Sequence, residues 1–159
     1  MAKAAKPVPD GFQTMTPQLA LNNAAQTIDW YVKALGAKEI RRSAGPDGKI
    51  MHAELTIGNT HFIANDAMMG SKGPKDYGGS PASWWLYVED CDALFNKAVS
   101  AGAKVQMPME DQFWGDRWGV FTDPFGLSWW AVTHKEDLTK EEIESRQSEF
   151  FAEVVGKTG

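Results

Sequence analysis

The sequence has a single cysteine, three histidines and no long uncharged apolar run. One cysteine excludes an internal disulfide and a thiolate zinc cluster, and it is typical of a protein kept in a reducing cytoplasm. A membrane-spanning helix needs about 20 consecutive apolar residues, so we expect no membrane partner. The N-terminal stretch Met1–Asp10 also lacks the apolar segment of a secretory signal, and residues 1–14 are predicted to form a disordered leader.

Positive charge is not in excess either, since the formal net charge is −5. This balance argues against nucleic acid as a partner and permits a cationic ligand. The chain contains no glycine-rich phosphate loop, no dinucleotide-binding fingerprint and no Ser-His-Asp order of a hydrolase. With 159 residues it is long enough to bury a proper core. We therefore expect a globular protein that does not bind nucleic acid.

Tryptophan is the residue type in marked excess, with seven copies. Six of them lie in the second half of the chain: Trp84, Trp85, Trp114, Trp118, Trp129 and Trp130. An indole ring buries a large apolar area and usually needs a partner for its N–H. Two interpretations follow, namely a core or dimer interface, and an aromatic cleft that binds a ligand.

The chain repeats one plan twice. Leu19–Asn23 leads into an amphipathic segment that ends at Gly36, and Leu86–Asp90 leads into another that ends at Gly102. Each half continues as short alternating strands separated by glycine turns. This pattern predicts an α+β fold made of two tandem βαβββ modules, whose curved mixed sheets face each other across a cleft. The predicted organisation is a leader at 1–14, a first module at 15–66, a linker at 67–82, a second module at 83–134 and a C-terminal helix at 135–159.

Helices are predicted over 24–35 and 91–101, and a third helix near the C-terminus. Thr139 and Glu142 have the spacing of a capping box, which predicts that this third helix starts there and runs to about Val155. It carries apolar side chains that predict docking on a further apolar surface, as in a homodimer interface: Ile143, Phe150, Phe151 and Val154.

Strand alternation predicts which side chains face the cleft. In a sheet covered by helices on one side, the apolar rows pack on the helices and the other rows face away from them. The first module is predicted to contribute Thr16, Gln18, Ala20, His52, Glu54 and Thr56. The second is predicted to contribute Ser83, Trp85, Tyr87, Trp118, Val120, Thr122, Ser128 and Trp130. Such a half-polar, half-aromatic cleft suits a partly aromatic or cationic small molecule.

Six short segments together carry a family resemblance: Ile28–Tyr31, Leu35–Ala37, His52–Leu55, Trp114–Gly119, Asp123–Gly126 and Thr133–Thr139. Their order resembles the glyoxalase/bleomycin-resistance/dioxygenase (vicinal oxygen chelate) superfamily over residues 15–134, and within it the PhnB-like branch. The resemblance implies paired βαβββ modules, a metal-centred or ligand-binding cleft and a homodimer.

Metal enzymes of this superfamily hold a divalent ion with inward histidines and glutamates. The resemblance places those positions at Thr16 or Gln18, Ser83, Trp130 and Phe62, where this chain has no competent ligand. The first hypothesis is therefore a metal-free protein that binds a small, partly aromatic or cationic molecule.

His52 and Glu54 are the candidate catalytic residues, because two positions two apart on a strand project the same way. They are interpreted as two ligands of an unconventional divalent-metal site, as an acid/base pair, or as partners in a hydrogen bond. The first interpretation gives a second hypothesis, a metal-dependent lyase or dioxygenase. No third ligand is predicted, because His134 is expected on the surface and the site position on the strand of His61 falls at Phe62.

Arg117 is a candidate ligand-binding residue with two interpretations. It could clamp a carboxylate or phosphate of the ligand, or form an ion pair that orders its loop. A third functional hypothesis is drug sequestration, as in the bleomycin-resistance relatives, in which an acidic aromatic cleft holds a cationic drug.

Overall fold

The computed structural model of the protein describes residues 6–156, apart from the side chain of Val155. The part of the predicted leader at residues 1–5 lies outside the described residues. The chain divides into two compact units, one reaching to Pro81 and including Phe125–Leu127, the other comprising Ala82–Pro124 and the chain from Ser128 onward. Each unit holds one four-stranded mixed sheet with a helix packed on it, so the predicted duplicated α+β fold is confirmed. Within residues 6–156, none of the helices combines the length and apolarity that a membrane crossing requires.

The first unit contains β1 (Gln18–Leu21), α1 (Ala24–Leu35), β2 (Lys38–Ala44), β3 (Ile50–Ile57) and β4 (Thr60–Asp66). The strand order is β1-β4-β3-β2, with β1 and β4 parallel and the other pairs antiparallel. α1 begins where the Asn23 side chain accepts a hydrogen bond from the Gln26 N–H, and it ends at Gly36 in the left-handed conformation, with φ of 70°.

The core of the first unit lies between α1 and one face of this sheet. Ile28 and Tyr31 of α1 are fully buried, and so are Leu55 of β3 and Ala64 of β4. The ring of Tyr31 lies 6.5 Å from that of Phe62. The opposite face of the sheet is thereby left to the alternate residues of each strand.

The second unit contains β5 (Ser83–Tyr87), α2 (Cys91–Ser100), β6 (Lys104–Asp111), β7 (Asp116–Thr122), β8 (Ser128–His134) and α3 (Lys140–Gly156). The strand order is β5-β8-β7-β6, the same plan as in the first unit. Asp90 caps α2 by accepting from the Ala93 N–H at 2.9 Å. α2 packs Phe95 against Phe121 of β7, with ring centroids 5.9 Å apart.

α3 begins at the predicted capping box. The Thr139 N–H donates to Glu142 Oε2 at 2.8 Å, and the Glu142 N–H donates to Thr139 Oγ1 at 3.2 Å. Three of its apolar side chains, Phe150, Phe151 and Val154, are about half exposed.

Two segments predicted as irregular are held by specific contacts. The predicted linker at 67–82 contains a 3-10 helix, Pro74–Tyr77, and the Asn22 side chain donates to Asp76 at 2.9 Å and accepts from the Lys75 N–H at 3.0 Å. Within the predicted disordered leader, the ring of Phe12 stacks on His61 at 3.8 Å. Composition reports only local preference, so these side-chain anchors to distant strands could not be read from it.

Candidate functional site

The face of the first sheet opposite α1 carries a polar cluster centred on Glu54. Arg41 on β2 donates to Glu54 Oε1 through Nε at 2.8 Å and also through Nη2. His52 Nε2 lies 3.1 Å from the same oxygen. Hydrogen bonds from the Arg41 guanidinium and then from His52 lower the pKa of Glu54 to about 2, although burial acts in the opposite direction. Glu54 is therefore an ionised carboxylate whose positive partner, Arg41, is already present. His52 and Glu54 are hydrogen-bonded to each other, which was one of the three interpretations of this pair.

His61 belongs to the same face and was missed from the sequence. Its partner across β3 is Thr56, two residues from Glu54, so both side chains project the same way. His61 Nε2 is buried, lies 3.6 Å from Glu54 Oε2 and has no hydrogen-bond partner among the described residues. The predicted site position at Phe62 is wrong, because Phe62 faces α1 and packs near Tyr31. Pairing the strands outward from the turn at Gly58 and Asn59 would have revealed the correct parity.

Gln18 lies on this face as predicted by its strand parity, but its amide is engaged. Gln18 Nε2 donates to Asn65 Oδ1 at 2.8 Å, and Asn65 Nδ2 donates to the Asp66 carbonyl at 2.8 Å. The pair forms a neutral patch beside the charged Glu54 cluster.

The side chains of this cluster do not fit the divalent metal of the superfamily. Among residues 6–156, no group of three His, Cys, Asp or Glu side chains is arranged to hold a metal ion. Glu54 would have to exchange the Arg41 guanidinium for a metal, and Gln18 would have to break its bond to Asn65. A cation is thus already supplied to the carboxylate by the protein itself.

The corresponding face of the second sheet is aromatic. Strand pairing places Trp85, Trp130 and Val120 in one row across the sheet. The next row contains Tyr87, Val132 and Trp118. All lie on the face opposite α2, which carries the side chains that strand alternation assigned to the cleft.

The rings on this face are in mutual contact. Trp85 and Trp130 stack with centroids 4.8 Å apart and planes 12° from parallel, and Trp118 lies 4.7 Å from Trp130. Trp118 is buried, whereas Trp85 is 42% and Tyr87 61% exposed. The buried N–H of Trp118 has no hydrogen-bond partner in the described part of the chain. We call Trp85, Tyr87, Trp118 and Trp130 the aromatic face.

One edge of the aromatic face ends in a hydrogen-bonded carboxylate. Asp116 is buried, and its Oδ2 accepts from the Tyr87 hydroxyl and from Trp114 Nε1, each at 3.1 Å. Its Oδ1 lies 2.8 Å from His134 Nδ1, and His134 Nε2 lies 3.0 Å from Asp137. Hydrogen bonds to Asp116 and then to Asp137 raise the pKa of His134 above its ordinary value. His134 was expected on the surface, and nothing in the sequence indicated its contact with Asp116.

Arg117 does not share the face of the aromatic residues. It lies one position along β7 from Trp118, on the side that carries α2, and donates to both oxygens of Asp92 at 2.8 Å and to Asp111 at 3.1 Å. Of the two interpretations of Arg117, the structure contains the ion pair. The predicted ligand clamp is not formed, because the guanidinium is bonded to Asp92 and Asp111 on the side of α2. Strand parity already pointed away from the cleft at this position, because adjacent residues of a strand project to opposite faces.

Comparison with known proteins agrees with this geometry. Residues 13–131 match the Glyoxalase/Bleomycin resistance protein/Dioxygenase superfamily. The uncharacterised Mycobacterium bovis protein Mb0911c is 42% identical over 139 residues, which cover 84% of this chain and 91% of the relative. The crystal structure of PA1353 from Pseudomonas aeruginosa has a TM-score of 0.63 at 28% identity, covering 78% of this chain and 99% of that one.

The fold is shared with a protein of the expected branch as well. A Bacillus cereus structure described as a putative 3-demethylubiquinone-9 3-methyltransferase, PhnB protein, has a TM-score of 0.58 at 18% identity and covers 76% of this chain and 99% of its own. The chain therefore belongs to the glyoxalase/bleomycin resistance protein/dioxygenase superfamily.

Proposed function

We propose that the protein binds a small planar, partly aromatic or cationic molecule on the aromatic face, without the divalent metal of its enzymatic relatives. The observation that carries the proposal is the exposed indole of Trp85, which lies parallel to Trp130 at 4.8 Å. Trp130 in turn packs on the buried cluster of Trp118, Val120 and Val132. Because Trp85 is held by Trp130 on one side, its side chain loses little conformational freedom when a ligand stacks on the other side.

The attraction between flat rings favours an occupied face. Stacking or cation–π attraction on an indole contributes about 0.5–2 kcal/mol per ring. A ligand with a flat ring gains this attraction on Trp85, the exposed indole of the face.

The metal-free part of the proposal is supported by the Glu54 cluster. The carboxylate is held by Arg41 and His52, so its negative charge is neutralised without an ion. The positions that the resemblance assigned to metal ligands have other partners, because Gln18 is bonded to Asn65 and Trp130 is stacked on Trp85.

The test compares two neighbouring tryptophans of β5 that point to opposite faces. Ethidium serves as the planar cationic probe, and its affinity is measured by fluorescence titration. Trp85→Leu should weaken binding about tenfold, on the scale of one lost stacking contact, whereas Trp84→Leu should leave it within about twofold. Circular dichroism shows that both variants fold. If ethidium binds equally well to both variants, or not at all to the unaltered protein, the proposal fails.

A metal-dependent lyase or dioxygenase is the second candidate, and the one observation on its side is the position of His61, although the described side chains form no three-ligand cluster. His52, Glu54 and His61 share one face, with His61 3.6 Å from the carboxylate. Elemental analysis of protein prepared without added metal decides between the candidates. Zinc, nickel, manganese or iron near one equivalent, lost in His61→Ala and in His52→Ala, would replace the metal-free proposal. Less than about a tenth of an equivalent, unchanged in both variants, would support it.

Drug sequestration is a form of the same binding activity. It requires only that a cationic aromatic drug be held on the aromatic face. Overexpression should then raise the inhibitory concentration of such a drug, and overexpression of the Trp85→Leu protein should not. If the unaltered protein and the Trp85→Leu protein protect equally well, the resistance does not depend on the aromatic face.

The expected homodimer is part of the proposal. In it, α3 of one copy of the chain packs against a second copy. The support is that Phe150, Phe151 and Val154 are about half exposed within five residues of one helix, and two copies of such a surface can cover each other about a two-fold axis. Sedimentation velocity should show a dimer that becomes a monomer in Phe151→Asp. A monomer at every concentration of the unaltered protein would contradict this part alone.

A further inference from the structure

Tyr87 differs from the other residues of the aromatic face because it carries a hydroxyl group. Its ring centroid lies 6.1 Å from that of the exposed Trp85, and its side chain is the most exposed of the four. Tyr87 follows Trp85 by two positions on the same strand and face, so a planar molecule stacked on Trp85 would be a neighbour of the Tyr87 side chain.

The role of the Tyr87 hydroxyl is fixed by Asp116. A hydroxyl has one hydrogen and two lone pairs, and an ionised carboxylate can only accept. The Tyr87 hydrogen is committed to Asp116 Oδ2 at 3.1 Å, so the phenolic oxygen offers lone pairs and no hydrogen to any further partner. Burial and then the contact with Asp116 raise the pKa of Tyr87, which keeps the group a phenol at neutral pH.

Asp116 is itself held rigidly enough to keep this polarity. Trp114 Nε1 donates to the same oxygen, and His134 Nδ1 lies 2.8 Å from the other. Because successive hydrogen bonds polarise one another, donation to a charged carboxylate makes the Tyr87 oxygen a better acceptor. The edge of the aromatic face thus presents an acceptor of fixed orientation.

We propose that Tyr87, oriented by Asp116, makes the aromatic face selective for planar molecules that carry an N–H or O–H donor at the edge of the stacked ring, such as aromatic amines and amides. This inference rests on the proposed ligand binding at the same face and adds the specificity of the site. Molecules of equal ring size that lack the donor would stack without the hydrogen bond.

The test uses two fluorescent probes with the same ring and carbonyl group. 7-Amino-4-methylcoumarin has an N–H donor, and 7-dimethylamino-4-methylcoumarin has none. The unaltered protein should bind the amino probe about three to ten times more tightly, on the scale of one hydrogen bond. Tyr87→Phe keeps the ring and removes the oxygen, so the ratio should fall to about one while the dimethylamino probe keeps its Kd. Tyr77→Phe, an exposed tyrosine on the other unit, should leave the ratio unchanged.

The outcomes separate this inference from the binding proposal. If both probes bind and lose affinity in Trp85→Leu, but their ratio is near one or is unchanged in Tyr87→Phe, the specificity inference fails and the binding proposal stands. If Tyr87→Phe weakens both probes equally, the tyrosine contributes only its ring and the inference also fails. If neither probe nor ethidium binds the unaltered protein, both proposals fail together.

Discussion

His134 Nδ1 lies 2.8 Å from Asp116 Oδ1, and the other nitrogen of the same ring lies 3.0 Å from Asp137. The imidazole thus joins the end of β8 to a buried carboxylate of β7 and to the segment that leads into α3. Because both ring nitrogens face carboxylate oxygens, the protonated form with two N–H donors is the one that satisfies them. Tyr87 and Trp114 complete the surroundings of Asp116.

This arrangement predicts a pH-dependent stability. The pKa of His134 in the folded protein is raised above the ordinary value of 6.5, so its stabilisation is fully present below that pH and is lost as the pH rises through the folded-state pKa. The free energy of unfolding in urea should therefore fall with rising pH in this range, and His134→Gln should remove that part of the slope. An NMR titration of His134 in Asp116→Asn should show a lower pKa. An unchanged slope in His134→Gln would contradict the prediction.

Glu54 predicts the opposite dependence at acid pH. Its pKa is lowered from 4.5 to about 2, chiefly by Arg41, so its stabilisation is present above the unfolded-state value and is lost as the pH falls toward 2. Glu54→Gln should be less stable than the unaltered protein at neutral pH. It should also lose less stability than the unaltered protein as the pH falls from about 4.5 to about 2. Glu144→Gln, in an exposed pair on α3, is the control and should leave the acid dependence as it is. Parallel acid unfolding curves for the unaltered protein and Glu54→Gln would refute the assignment.

Local patterns predicted most of the fold. The helix predicted over 24–35 has those bounds in α1, because side-chain caps, glycine stops and apolar spacing are properties of neighbouring residues. The aromatic face followed from strand alternation applied to β5, β7 and β8. β6 extends to Asp111 through a register shift against β7 between Met107 and Glu110, which local alternation does not indicate.

The errors concern contacts between residues distant in sequence. The pairing of β3 with β4 brings His61 to Glu54, and the carry-over from the family was one residue away, at Phe62. His134 and Asp116 are 18 residues apart and meet only because β7 and β8 are neighbours. Phe12 rests on His61 although the composition around it indicated a disordered leader. Such pairs need strand register and side-chain reach, which no local pattern contains.

Arg117 provides a test of the corrected assignment. Its two parallel hydrogen bonds to Asp92 join β7 to the first turn of α2. Arg117→Gln, Asp92→Asn and the double variant form a cycle whose coupling free energy should be roughly 0.5–1 kcal/mol, as for a partly exposed ion pair. Ethidium binding should be the same in all of them, because the guanidinium lies on the α2 side of the sheet. A loss of binding in Arg117→Gln without loss of stability would restore the ligand clamp.

Gly115 is predicted to be the glycine of the second unit least tolerant of a side chain. It has φ of +95°, and a Cβ there would lie 2.5 Å from the Glu136 carbonyl oxygen. Its own carbonyl accepts from the Lys135 and Glu136 N–H groups at 2.9 and 3.0 Å, so the substituent and the segment after β8 cannot both keep their places.

Gly78 offers the matched control for this substitution. It has φ of +70°, and a Cβ added there would have nothing within 4 Å, so Gly78→Ala carries only the backbone strain of about 1–2 kcal/mol. Gly115→Ala should cost clearly more in urea unfolding, and its amides at 135 and 136 should exchange hydrogen faster than in Gly78→Ala. Equal losses of stability in the two variants would show that the close approach of Gly115 to Glu136 does not hold the segment in place.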